Sequence, residues 1–289
     1  MPDLQNHIIL VTGATSGIGK ATATELAKMG AHVVLLARSA DKAAATQREI
    51  QAAAGHFRVD VLLADLSDQA QVRRVAVEFN ARYPRLDVLV NNAGLIFGPQ
   101  RQLSADGYEL GLATNHLGPF LLTALLFDKL RASPAARVVN LASMGYKFAK
   151  PDLADIQSAR SYSAPRIYSN TKLYNIMFTQ ELARRLRAHG ISNVTTSAVH
   201  PGVVASNFGS NAGGWLAKLV QLARPFLLSA EQGAETSVYL ASAPAVDALS
   251  GGYFAKKRVE PVKHSFNTPE HARQLWQLSE QLTGTSFLA

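Results

Sequence analysis

The sequence predicts an α/β fold in one domain: a doubly wound parallel sheet held between two layers of helices. Three observations predict it. Short β-branched apolar runs recur over the first 200 residues, stretches of helical composition separate them, and a glycine-rich turn follows the first run. Strand and helix in regular succession call for parallel pairing, with the crossover helices on the sheet faces. With 289 residues, 47% of them apolar, the chain can bury a large core.

Six runs read as buried strands: "HIILVT" (7–12), "HVVLLA" (32–37), "RVDVLLA" (58–64), "LDVLVN" (86–91), "RVVNLA" (137–142) and "NVTTSAV" (193–199). Each is short and largely without a polar face, as a strand covered on both sides requires. The intervening helices are clearest at "GKATATELAKMG" (19–30) and "DQAQVRRVAVEFNARY" (68–83), the second with Asp68 placed to cap it. After residue 200 the alternation is expected to break. There "PGVVASNFGSNAGG" (201–214) reads as loop, "WLAKLVQLARPFLL" (215–228) as an amphipathic segment, and "TPEHARQLWQLSEQL" (268–282) as a closing helix with Pro269 in its first turn. No linker or repeat divides the chain, so residues 1–289 are read as a single domain. In an open parallel sheet, ligands bind beyond the carboxyl ends of the strands, so motifs there come first.

Composition narrows the chemistry. With no cysteines, disulfides, iron–sulfur clusters, thiolate zinc sites and thiol nucleophiles are all excluded, and redox work needs a borrowed cofactor. The eight histidines show no ligand spacing, so no metal is expected, and His116 and His200 read as packing or loop residues. The net charge of +8 comes from cations spread along the chain, with only "AKKR" (255–258) clustered; nucleic acid is not an expected partner. The start "MPDLQNHIILVTG" lacks the pattern of a signal peptide, and the longest apolar run, "LGPFLLTALLF" (117–127), is short of the ~20 residues of a membrane span. A cytoplasmic protein without a transmembrane anchor is expected, peripheral membrane contact and homo-oligomerisation staying open.

The stretch "VTGATSGIGK" (11–20) has glycines at 13, 17 and 19, a spacing that is neither G-x-G-x-x-G nor a P-loop. The first strand delivers Thr12 and Gly13 to a turn, and Gly17 and Gly19 open a helix whose amides and dipole favour a pyrophosphate. Glycines that merely permit a tight turn are the plainer alternative for this motif by itself. The second strand ends at Arg38, where an NAD enzyme presents an acid to the ribose 2′-hydroxyl; arginine instead offers a fork to a 2′-phosphate. That favours NADP(H) over NAD(H). Lys20 and Lys42 either add positive potential or are ordinary helix surface.

Three motifs in order, "TGATSGIG" (12–19), "NNAG" (91–94) and "YSNTK" (168–172), resemble the short-chain dehydrogenase/reductase family over essentially the whole chain. "TNHLGPFLLT" (114–123), "HPGVV" (200–204) and "GAETSVYLA" (233–241) are similar to its retinol-dehydrogenase-like branch. The resemblance implies a Rossmann-type fold and a nicotinamide cofactor held by Thr12, Gly13, Ser16, Gly17, Ile18 and Gly19, by Asn92, Ala93 and Gly94, and by Pro201, Gly202 and Val203. It also implies an adenine contact at Asp65 with Leu66, for which capping a turn is the alternative, and a structural role for Asn91. Tyr168 and Lys172 then serve both cofactor and chemistry, Ser143 binds the substrate oxygen, and Asn115 supports a proton path past Lys172. The alternatives are a helix cap for Ser143 and a buried amide satisfying backbone for Asn115.

Tyr168 and Lys172, four apart in helical composition, share one face. Moving a phenol from pKa ~10 to ~7 takes ~4 kcal/mol, about what one ammonium ~4 Å away supplies at an effective dielectric of ~20. Lysine is therefore expected to suffice, with the oxidised nicotinamide's charge assisting. The expected reaction is hydride transfer between a nicotinamide and a carbonyl or alcohol, with Tyr168 passing the proton. In residues 215–228, Lys218, Gln221 and Arg224 recur every third position, so residues 205–230 read as a lid over a lipophilic substrate, with a core-packed helix or bilayer contact as alternatives. Ala142 stands where that branch often has a second serine, and residues 145–164 match no family motif but are expected to border the pocket. A non-catalytic NADPH sensor or scaffold would be signalled by loss of Tyr168 or Lys172. A sugar-nucleotide epimerase or dehydratase would show TGxxGxxG and a larger substrate domain. Neither signature is present.

Overall fold

Side chains alternate across each strand, and the first strand sets the plan: Leu10 packs into one core, Ile9 and Val11 into another. These cores are the two faces of a single sheet in the computed structural model, which describes residues 3–204 and 228–289. The strands are β1 (Ile8–Thr12), β2 (His32–Ala37), β3 (Val59–Leu63), β4 (Val88–Asn91), β5 (Ala136–Leu141), β6 (Val194–His200), β7 (Tyr253–Ala255) and β8 (Arg258–Val259). They lie in the order β3-β2-β1-β4-β5-β6-β7-β8, parallel throughout except for the β7–β8 pair.

One face carries α1 (Gly17–Lys28) and α2 (Ala40–Ala54), with Leu26 and Ile50 buried against Ile9, Val33 and Val90. The other carries α3 (Gln69–Arg82), with Val72, Val75 and Phe79 against Leu10, Val34 and Leu62. The three-layer αβα arrangement read from the sequence is thus observed. Asp68 caps α3 as expected, its side chain accepting from Gln71 N–H at 3.1 Å.

After β4 come the one-turn α4 (Leu110–Leu112), a π-turn over Ala113–Leu117, α5 (Gly118–Leu125), α6 (Phe127–Arg131) and the long α7 (Ala164–Ala188). Residues 169–179 of α7 are buried on nearly every side, between the sheet and the closing helix α9 (Pro269–Thr283). One expectation is corrected here. The alternation does not break after residue 200, because α8 (Ala230–Ser242), opened by a Ser229–Gln232 capping box, leads to β7, parallel to β6. At three residues, β7 is too short to leave a periodic signal in the sequence. Most of the lid expected at 205–230, and all of 215–228 but Leu228, lies outside the described residues.

Sheet order reverses between β1 and β4, each running up from the same end. The turns after these two strands therefore diverge and leave a crevice at their carboxyl ends.

Candidate active site

A cleft of about 820 Å³ opens there, running from the ends of β2 and β3 across β1 and β4 to β5 and β6. Its floor is the glycine turn. Gly13 and Gly17 adopt φ of +63° and +51°, the left-handed region glycine tolerates. A Cβ on Gly19 would lie 2.3 Å from Asn92 Nδ2 and 2.4 Å from the Gly13 carbonyl, so only glycine fits. Ser16, extended and exposed, gives no side-chain cap to α1, so the first amides of α1 stay available to a ligand. Gly13, Ser16, Ile18 and Gly19 line the cleft. This cradle fits a dinucleotide pyrophosphate.

Thr12 and Asn92 tie the two turns together. Thr12 Oγ1 accepts from the Asn92 and Ala93 N–H groups, both at 2.9 Å, and Asn92 Nδ2 donates to the Thr12 carbonyl at 2.8 Å. Thr12 is fully buried, and neither it nor Gly17 lines the cleft: both hold the cradle's shape where direct contact was expected. Asn91 is a core residue, donating to Thr123 Oγ1 and Asn140 Oδ1. Asn92, Ala93, Gly94, Asp65 and Leu66 all line the cleft.

At the far end of the β2 side stand Arg38, Ser39 and Lys42. Arg38, 60% exposed, lies 3.5 Å from Asp65 Oδ2. Asp65 Oδ1 accepts from Ser67 N–H and Oγ, so Asp65 caps a turn and also faces the arginine. Lys20 does not line the cleft; it is ion-paired with Glu49 on the helix surface.

At the opposite end, the structure brings Ser143, Tyr168 and Lys172 to the cleft wall. Ser143 follows β5 and caps a 3-10 turn (Met144–Phe148), accepting from Gly145 N–H at 3.1 Å, and it is hydrogen-bonded to Tyr168. Tyr168 and Lys172 share a face of α7, with Nζ 5.5 Å from the phenol ring centroid. Lys172 is 2% exposed and donates to the Leu141 carbonyl at 2.9 Å, while a Cβ on Gly94 would come within 2.9 Å of Nζ.

Electrostatics amend one expectation. Burial pushes the Tyr168 phenol up to about 12, with the Ser143 hydrogen bond opposing it, and pushes Lys172 down to about 8. Lysine alone therefore does not bring the phenol's pKa down to neutral pH, because burial outweighs the opposing Ser143 hydrogen bond.

Asn115 sits in the π-turn, completely buried and away from the cleft lining. Its Oδ1 accepts from Leu95 N–H and its Nδ2 donates to the Leu95 carbonyl, both at 2.9 Å, with a second donation to Thr171 Oγ1 at 3.3 Å. The amide thus anchors the Asn92–Leu95 loop to the tyrosine helix. His116 is likewise structural: burial pushes it down to about 4, and it bridges Asn175 and Ser279.

Besides Pro201, Gly202 and Val203, the cleft wall includes Leu95, Met144, Phe148, His200 and Val204. Met144 and Phe148 are 42% and 76% exposed. Sequence reasoning placed the pocket border at 145–164, which includes Phe148 but not Met144, and named neither, since an isolated apolar residue has no periodicity to betray it. His200, read as a loop or packing residue, in fact faces the cleft.

A family model described as short chain dehydrogenase matches residues 7–216. The chain is 40% identical over 281 residues to retinol dehydrogenase 11 of Mus musculus, covering 97% of this chain and 87% of that protein. Among solved structures, an uncharacterised protein of Mycobacterium paratuberculosis superposes with a TM-score of 0.78 at 34% identity, covering 99% of this chain and 97% of that one. A Pseudomonas aeruginosa RhlG/NADP active-site complex gives 0.70 at 27% identity, covering 93% and 100%.

Proposed function

The chain belongs to the short-chain dehydrogenase family, in its retinol-dehydrogenase-like branch, and is an NAD(P)-dependent oxidoreductase acting on CH–OH groups; within that class, we propose that it interconverts a lipophilic aldehyde or ketone and its alcohol with NADP(H), Tyr168 passing the proton. The observation that carries the reading is the meeting of Ser143, Tyr168 and Lys172 at one end of a cleft whose floor is a glycine cradle. A bound nicotinamide cofactor supplies the hydride for reduction and accepts it in oxidation.

The chain's own residues do the rest. Gly13, Gly19 and the first amides of α1 hold the pyrophosphate, and Arg38 with Lys42 holds a ribose 2′-phosphate. Ser143 and Tyr168 hydrogen-bond the substrate oxygen. With its value near 12, Tyr168 is un-ionised at neutral pH and is poised as an acid: it gives its proton to the carbonyl oxygen as the hydride arrives. The Lys172 ammonium stabilises the phenolate left behind. In alcohol oxidation the same groups work in reverse, and the phenol must first be deprotonated.

Absence of an acid at the end of β2, together with an exposed Arg38, supports the phosphate-bearing cofactor. The P. aeruginosa neighbour described with NADP is consistent with it. The apolar rim of Leu95, Met144, Phe148 and Val203 supports a lipophilic substrate, as does the likeness to retinol dehydrogenases, without singling out retinal.

A panel of small, lipophilic and steroid-like carbonyls, followed by loss of NADPH absorbance, tests the reading. Turnover concentrated on the lipophilic members is expected. No turnover anywhere would favour a non-catalytic NADPH sensor. On an active substrate, Arg38→Asp should raise KM for NADPH far more than for NADH; equal effects would refute the phosphate assignment.

A further inference from the structure

Along β5 the backbone ladder to β6 advances by two residues at a time. Ala136 N–H donates to the Asn193 carbonyl at 2.7 Å, and at the other end Ala142 N–H donates to the Val199 carbonyl at 2.8 Å. One more step of the series would take Met144 N–H to the Pro201 carbonyl. That bond is not made. The chain turns away at Pro201–Gly202, where Gly202 has φ of +88°. Met144 N–H instead donates to Nδ1 of His200 at 3.3 Å.

The consequence lies one residue away, at Ser143. Three amides open the 3-10 turn that follows it. Ser143 Oγ takes Gly145 N–H and the Ser143 carbonyl takes Tyr146 N–H, each at 3.1 Å, so the residue has no means of satisfying Met144 N–H. The imidazole supplies that acceptor, and it reaches across from the strand whose next residues, Pro201 to Val203, line the same cleft. With Nδ1 accepting, the neutral ring carries its hydrogen on Nε2. Among the described residues Nε2 has no hydrogen-bond partner.

We propose that His200 is a positioning residue: its imidazole replaces the missing last rung of the β5–β6 ladder and so fixes the turn that aims the Ser143 hydroxyl at Tyr168. The proposal deepens the reductase reading and rests on it for its kinetic arm only. His200→Leu removes the acceptor. His200→Asn keeps it, because the amide oxygen stands the same number of bonds from Cα as Nδ1.

Two readouts decide. The first is amide hydrogen exchange over residues 142–148, which needs no turnover. The second is kcat on a carbonyl accepted by the wild type, with NADPH affinity measured separately. His200→Leu should speed exchange in this segment and lower kcat about tenfold, as misplacement of a catalytic group does, while NADPH affinity stays within about twofold. His200→Asn should restore both. If His200→Leu does not fold, His200→Ala takes its place, removing the same acceptor. Unchanged exchange and kcat in the Leu or Ala variant, or an Asn variant as impaired as the variant without the acceptor, overturns the brace. A wild type inactive on every carbonyl overturns the functional reading instead, and the exchange arm still decides on His200.

Discussion

Lys172 shows how much a single side chain is asked to bear. Its ammonium is nearly completely buried with one carbonyl acceptor among the described residues, Leu141, and its pKa falls from 10.5 to about 8. Below pH 8 both folded and unfolded chains hold this proton, and the folded state carries the full burden, on the order of 3 kcal/mol. As pH rises from 8 toward the unfolded value, the burden disappears. Lys172→Met should therefore be the more stable protein at pH 7 in denaturant titrations, by up to that amount, with the gain shrinking above pH 8 and activity lost. Asn175 Nδ2, 3.2 Å from the Leu141 carbonyl, keeps that acceptor satisfied in the variant. The same value sets an expected pH profile: carbonyl reduction should fall as pH passes about 8, where Lys172 loses its charge, and a rate constant to pH 10 would contradict the role of the ammonium. The identities of Tyr168 and Lys172 were legible in the sequence from their spacing and neighbouring motifs. Their ionisation was not, since it depends on burial and on the Ser143 hydrogen bond, which only the fold creates.

Elements carry the glycine cradle. The turn after β1 and the loop after β4 lock together through Thr12 and Asn92, and a side chain at Gly19 would collide with the Asn92 amide of that lock and with the Gly13 carbonyl. Gly19→Ala should cost about 1–3 kcal/mol of stability through overpacking, and weaken NADPH binding, readable by thermal melts with and without cofactor. An unaltered melting shift on adding NADPH would mean the cradle is not where the cofactor sits. The six long strands and the capped α3 were legible because apolar runs and an Asp in the cap position are local signals. β7 and the continuing alternation through α8 were not, because a three-residue strand is defined by its pairing with β6 and not by its own letters. The π-turn holding Asn115 likewise leaves no compositional mark, although the asparagine itself was named from its motif.

At the scale of the whole molecule, the carboxyl-terminal segment clamps the tyrosine helix against the sheet. Trp276 of α9 stacks on Phe178, Arg185 lies over the Trp276 ring and donates to the Leu288 carbonyl, and Phe287 packs on Phe120, Phe127 and Trp276. Phe287→Ala should lower unfolding free energy by about 1–2 kcal/mol, less than a full core truncation because the ring is only half-buried, and leave the cofactor KM unchanged. The closing helix was legible from its composition and its first-turn proline, but its partners, ninety or more residues earlier, were not. All of this architecture serves one claim, that Tyr168 passes a proton to a carbonyl oxygen beside a nicotinamide bound over the glycine turn. The most direct test is Tyr168→Phe, with NADPH affinity and turnover of the best carbonyl measured on the same preparation. The account predicts near-native affinity with turnover lower by at least about 100-fold, the scale of general acid catalysis; a phenylalanine variant that keeps most of the wild-type turnover would contradict it.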